Sequence, residues 1–197
     1  MDRSGQHSDG IRGVALLGCV MALGLHALGL HAQEASAYTI RTDDTLLTMA
    51  EQLRGPKATM NQMAYALARA NMDVFKGRPG IMPAAGTKLA VPNEKTALAT
   101  DARKAEDEVS KIWRSEQYFK AGQALEKSKD MLYAFDTYVY AAQLGHGPSQ
   151  LRLGQLYDRD VSGFVKRSLL ESISWYERAR NQKVPITSPA RMPPSYD

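Results

Sequence analysis

The chain has 197 residues, 44% of them hydrophobic, which gives room for one domain or two small ones with an ordinary core. Its net charge is +4, with 25 Lys and Arg against 21 Asp and Glu. The basic residues are scattered along the chain and not blocked, so no nucleic-acid partner is expected, and the charge serves either general solubility or attraction to anionic polymers. Cys19 is the single cysteine, which excludes an internal disulfide framework and a Cys-based metal site.

Residues 1–37 read as an export signal. Arg3 and Arg12 give a basic start, Val14 to Leu30 is a Leu/Ala/Gly/Val-rich run, and Ala35-Ser36-Ala37 supplies the small-x-small pattern of a cleavage site. A second possible cut follows Ala32. The two alternatives are an uncleaved anchor, for which the run is short, and a lipoprotein acylated at Cys19 within Leu16-Leu17-Gly18-Cys19. Cleavage after Ala37 removes two basic and three acidic residues and leaves a net charge of about +5. It also leaves His146 as the one histidine. The expected location is the periplasm of a Gram-negative envelope, or secretion. Contact with a membrane is expected only through the signal segment, uncleaved or lipidated.

Tyr38-Thr39-Ile40-Arg41 predicts a short strand. Asp43-Asp44-Thr45 follows as turn and helix N-cap, and Leu46, Leu47, Met49, Ala50 and Leu53 recur at helical spacing. Gly55-Pro56 ends that helix. Thr59 is the next candidate cap, with Met60, Met63, Ala64, Leu67 and Ala68 on one face of a second helix that ends near Asn71 and Asp73. A Gly/Pro-rich loop from Gly77 to Gly86 precedes Lys88-Leu89-Ala90-Val91-Pro92, a second strand closed by proline.

This strand-helix-helix-strand order over residues 38–93 resembles a LysM domain. Tyr38-Thr39-Ile40 with Asp44-Thr45-Leu46 matches the family's opening, and Pro83-x-x-Gly86-x-x-Leu89-x-x-Pro92 matches its close. Asp43 stands where the family usually has glycine. The middle, Met60-Asn61-Gln62-Met63-Ala64-Tyr65-Ala66-Leu67 and Ala70-Asn71-Met72-Asp73-Val74-Phe75, resembles the variant LysM-like domain of the FimV group of pilus-assembly proteins, with Met72 in place of a proline. The resemblance implies a shallow groove that hydrogen-bonds N-acetyl groups of glycan chains. Carried over residue by residue, Asp44, Thr45 and Leu46 form one side and Gly80, Ile81 and Met82 the other.

Residues 94–110 are charged and Ala-rich, with no sustained apolar stripe before Val109, and read as a charged helical linker that does not pack. Glu106, Asp107 and Glu108 are expected in solvent. From Lys111 onward the chain echoes itself at an offset of 38: Asp136-Thr137-Tyr138-Val139-Tyr140-Ala141 lines up with Ser174-Trp175-Tyr176-Glu177-Arg178-Ala179, and Trp113, Gln117 and Phe119 with Leu151, Gln155 and Tyr157. Such a period marks repeated helical hairpins, which usually bind partners. Leu151-x-Leu153-Gly154-x-Leu156-Tyr157 with Ser174-Trp175-Tyr176-Glu177-Arg178-Ala179, and Ala141-Ala142-x-Leu144-Gly145 before them, resembles a Sel-one-like repeat of the tetratricopeptide type. Two repeats are expected within 111–183. Trp175, Tyr157 and Tyr176 are expected to fill the core, while Tyr118, Tyr138 and Tyr140 are the candidate partner anchors. Residues 184–197, with four prolines, are expected to be extended or disordered.

The expected fold class is therefore α+β: a small LysM-like domain, then an all-α two-repeat solenoid. No catalytic residue, metal ligand or cofactor is expected, because His146 has neither a second histidine for a metal nor a nucleophile elbow beside it. The resemblances imply a non-catalytic envelope adaptor that binds peptidoglycan, through its N-acetylglucosamine units, and an envelope protein of pilus, secretion or division machinery. The alternatives are a protein-only scaffold and an accessory of a cell-wall hydrolase.

Overall fold

The computed structural model describes residues 36–159, 163 and 165–186; Cys19, most of the expected signal segment and the stretch beyond 186 lie outside the described residues. The described chain is α+β and mostly helical, with one two-stranded antiparallel sheet and eight helices.

Strand β1 (Ala37–Thr39) pairs with β2 (Lys88–Ala90), Tyr38 opposite Leu89. These two face the core while their neighbours are exposed, the alternation a two-faced sheet requires. Helix α1 (Leu46–Leu53) starts at Thr45, whose hydroxyl accepts from Thr48 N–H while Thr48 returns the bond to the Thr45 backbone. Helix α2 (Met60–Ala70) starts at Thr59 in the same way with Gln62. Tyr38, Leu46, Met49, Met63, Leu67 and Leu89 close the core between sheet and helices, each burial contributing about 1.5–3 kcal/mol.

Asn71 ends α2 and hands over to the single turn α3 (Met72–Phe75). Its buried amide donates to Leu67 O and Ala90 O, both at 2.9 Å, and accepts from Ala90 N at 2.8 Å. One side chain thus ties the end of α2 to β2. The tight end survives without a proline because the amide holds it. Asp43 needs no glycine geometry either: positive φ at a non-glycine residue occurs, among the described residues, only at Lys76, Lys129 and Lys183.

The charged stretch is helical but not a free linker. Helix α4 (Glu94–Leu98) buries Ala97, and Glu94 Oε1 accepts from Lys57 N at 2.6 Å. Helix α5 (Ala102–Lys127) buries Ala105 and Val109 and packs against α2. The small alanines hid this face, because they fit a close approach without adding hydrophobicity to the pattern. Glu106 and Asp107 are exposed as expected, and Glu108 is half-buried.

Three residues link α5 to α6 (Met131–Gln143). Helix α7 (Gly147–Tyr157) and α8 (Leu169–Asn181) follow, and α5 with α6, α6 with α7 and α7 with α8 pack in succession. Shifted by 38 residues, α6 covers α8 end to end. Ala134, Tyr138, Ala141, Leu153 and Leu156 form the second core. Trp175 is only partly buried against it, and Tyr157, also partly buried, meets the Phe135 ring edge-on at 5.7 Å. Tyr176 is buried. Val184, expected to open a loose tail, is instead buried: a Cβ on Gly77 or Gly147 would come within 2.6 Å or 2.4 Å of its methyl.

Candidate functional site

Three places could carry function. The first is the expected groove. Asp44 is spent inside its own turn, where Oδ2 accepts from Arg41 N at 2.7 Å and Tyr38 OH at 2.8 Å. Burial, with the hydrogen bond to Asp44 second, pushes the Tyr38 phenol above its ordinary value. Thr45 caps α1, and Leu46 is 1% exposed, so its side chain is core. On the other side, Gly80 lies against α5, where an added Cβ would sit 3.4 Å from Glu116 Cβ and Ile112 O. Ile81 and Met82 line an open cleft of about 570 Å³ with Val74, Phe75, Lys76 and Thr87. Asp44, Thr45 and Leu46 do not line it. The structure therefore brings Ile81 and Met82 into one cleft and leaves the other four expected residues outside it.

The second place is an open groove of about 600 Å³ between α5, α6 and α7, lined by Phe119, Gln123, Tyr138, Leu151, Arg152 and Gln155, among others. Its rim holds a cross-helix link: Arg152 pairs with Glu126, which also accepts from Tyr138 OH at 2.8 Å. Burial would raise the Glu126 carboxyl, but bonds from Arg152 and Tyr138 bring it below the ordinary carboxylate value. The Tyr138 phenol is pushed well above its usual range, first by burial and then by Glu126. At 1% exposed, Tyr138 is groove floor and core, not a protruding anchor. The α5–α6 spacing turns it inward, against Gly122. Tyr118 and Tyr140 do protrude, 41% and 58% exposed, with ring centroids 5.8 Å apart.

The third place is buried and polar. Glu116, 2% exposed, accepts from Arg78 Nη2 at 2.6 Å and bonds His146 Nε2 at 3.1 Å. His146 Nδ1 lies 2.9 Å from Ser149 Oγ. Serine, histidine and glutamate in a row have the composition of an acyl-transfer triad. Here Ser149 is fully buried, and Nδ1 already accepts Ser149 N–H at 3.2 Å as the N-cap of α7. Sequence reasoning missed Glu116 and Arg78. The signal was present: Ala105, Val109, Ile112, Glu116 and Phe119 fall at helical spacing, so the carboxylate stands in a row of core positions. Among the described residues no group of His, Cys, Asp and Glu could hold a metal ion, and no helix is long and apolar enough to cross a membrane.

Compared with protein-family models, with curated proteins and with solved structures, the chain finds no match in any of the three.

Proposed function

We propose that the protein is a non-catalytic adaptor of the cell envelope, with a LysM-like lobe that docks on peptidoglycan and two Sel-one-like hairpins that take a protein partner. The observation that carries this reading is the pair of separate concavities on one body. The cleft at Ile81 and Met82 belongs to the strand-helix-helix-strand lobe, and the groove at Phe119 and Leu151 belongs to the hairpins. Each mixes apolar lining (Phe75, Ile81 and Met82 in the first, Phe119, Tyr138 and Leu151 in the second) with charged groups (Asp73 and Lys76, Glu126 and Arg152), the kinds of group a binding surface combines. Tyr118 and Tyr140 extend the hairpin surface as partner anchors. Pilus, secretion or division machinery is the class of partner the sequence resemblance suggests.

Export remains part of the proposal, and the strand register favours one of its two cuts. Ala37 pairs with Ala90, and Ser36 O accepts from Val91 N at 2.7 Å. A cut after Ala37 deletes both from the ladder, whereas a cut after Ala32 keeps them. N-terminal sequencing of the protein recovered from periplasm should therefore read Gln33. Recovery of the uncut chain in cytosol alone would remove the export reading.

The decisive assay is co-sedimentation of the processed chain with protein-free sacculi. Binding should be weak, because a shallow cleft must overcome the ordering of a sugar chain. It should be competed by N-acetylglucosamine oligomers and reduced by Ile81→Asp. The protein-only scaffold is the second reading, favoured by the internal use of Asp44, Thr45 and Leu46. Wild-type protein that stays in the supernatant at low salt establishes it.

A further inference from the structure

The buried polar chain joins segments far apart in sequence. Arg78 comes from the loop after α3, Glu116 from the middle of α5, and His146 and Ser149 from the start of α7. The Arg78 guanidinium also lies over the Phe119 ring, 5.2 Å from its centroid, and that ring meets the His146 imidazole at 4.7 Å. Gly80, two residues on, rests on the same stretch of α5.

The contacts of His146 fix its proton. Nδ1 must accept, because the Ser149 backbone N–H points at it. The ring proton therefore sits on Nε2 and donates to Glu116. A second proton has to go to Nδ1. Ser149 Oγ, 2.9 Å away, can accept a bond from that proton, but the Ser149 backbone N–H then loses its acceptor, at the positive end of the α7 dipole. The charged groups facing His146 are Glu116 from α5 and Arg78 from the loop; those facing Glu116 are Arg78 and His146.

We propose that this chain of bonds is an acid-released latch: near neutral pH it clamps the 76–82 loop to α5 and caps α7, and protonation of His146 at Nδ1 uncaps the helix and frees the loop. Burial pushes the His146 imidazole below its ordinary value of 6.5, with Glu116 opposing. For Glu116, burial works to raise the carboxyl, yet the bonds from His146 and Arg78 hold it below its ordinary 4.5. Both groups then bind protons more weakly in the latched form than in the open one. The clamp is at full strength above about pH 6.5, weakens as pH falls from there, and loses the Glu116 contribution below about 4.5. The freed loop carries Ile81 and Met82, so acid would reshape the cleft they line whatever ligand that cleft takes.

Amide hydrogen exchange on the processed chain tests this, with protection corrected for the intrinsic rate and compared between about pH 7.5 and pH 5. Protection in 76–82 and 147–151 should fall, by up to about thirtyfold at pH 5, since each pH unit below the ordinary pKa supplies at most a factor of ten. Protection in α1 and the sheet should hold. His146→Asn, which can cap α7 without titrating but gives up the Nε2 bond to Glu116, should start from lower protection at neutral pH and abolish the further fall on acidification. A uniform fall along the chain, no fall, or the same fall in the asparagine variant would overturn the latch. Should that variant not fold, wild-type NMR decides. His146 is the one histidine beyond residue 37, and its imidazole shift must titrate below 6.5, at the same midpoint as release of the loop. Titration at the ordinary value, or without loop release, counts against the proposal.

Discussion

The two helical hairpins share their second helix and differ in their first. Helices α6 and α8 coincide under the 38-residue shift, and Ala141 and Ala179, equivalent under it, are both fully buried. Tyr138 and Tyr176 are also equivalent, and each lies over a glycine, Gly122 and Gly154. The first helices diverge in length and chemistry. Helix α5 begins ahead of the position equivalent to the start of α7, and that extension buries Ala105. Glu116 occupies the position equivalent to Gly154. In the second hairpin that position admits the Tyr176 ring and offers its carbonyl to Ser172 Oγ at 2.9 Å. In the first it holds a buried charge. One hairpin closes on itself, and the other has turned the same position outward to grip a neighbour.

Mutations can break this comparison. The largest effect is expected at the shared tyrosines: Tyr138→Ala and Tyr176→Ala should each cost about 3–5 kcal/mol in urea unfolding, comparable to the stability of many small domains. A small loss at Tyr176 alone would show that the hairpins are not equivalent in energy. Next comes the charge at the divergent position. Arg78→Ala leaves Glu116 buried without its cation and should cost about 3 kcal/mol. Arg152→Ala breaks a pair in which both side chains keep about a quarter of their surface in water, and should cost about 0–1 kcal/mol. Equal losses would mean that Glu116 is better hydrated than its 2% exposure implies.

The glycines separate the hairpins more finely. A Cβ at Gly122 would meet Tyr138 at 2.6 Å, and one at Gly154 would meet Tyr176 at 3.0 Å. Gly122→Ala should therefore be the costlier of the two, within the roughly 1–3 kcal/mol of overpacking, and thermal denaturation of the pair would rank them. The smallest change belongs to the N-terminal lobe. Thr45→Ala should cost about 1 kcal/mol through the lost α1 cap and leave hydrogen exchange in α5 to α8 unchanged.

Much of this arrangement was legible in the sequence because it is local. Thr45 and Thr59 announce their helices through capping chemistry, Tyr38 and Leu89 alternate as strand residues must, and the 38-residue echo marks α6 and α8. What escaped depends on partners distant in sequence. Ala105 packs by being small, which no hydrophobic pattern registers. Asn71 looked like a stop signal, yet its amide ties α2 to β2. Of the six residues expected to form one groove, Ile81 and Met82 line a cleft, while Asp44, Thr45 and Leu46 are occupied by turn, cap and core and Gly80 rests on α5. Tyr138 and Tyr140 sit two residues apart, and only the packing of α6 on α5 decides that one is floor and the other surface.

Val184 gives the molecule an order of assembly. It touches Gly77 and Gly147 at once, and the first of these contacts closes a loop of roughly a hundred residues, whose entropy grows with the logarithm of its length. A contact so distant in sequence forms late, once the intervening helices have shortened the path, and it opens early under stress. A chain emerging from its N-terminus can build the sheet and α1 to α4 long before Val184 exists. For that interval the surface around Gly77 stands uncovered, available to a chaperone or to a wrong partner, until Val184 arrives to seal it.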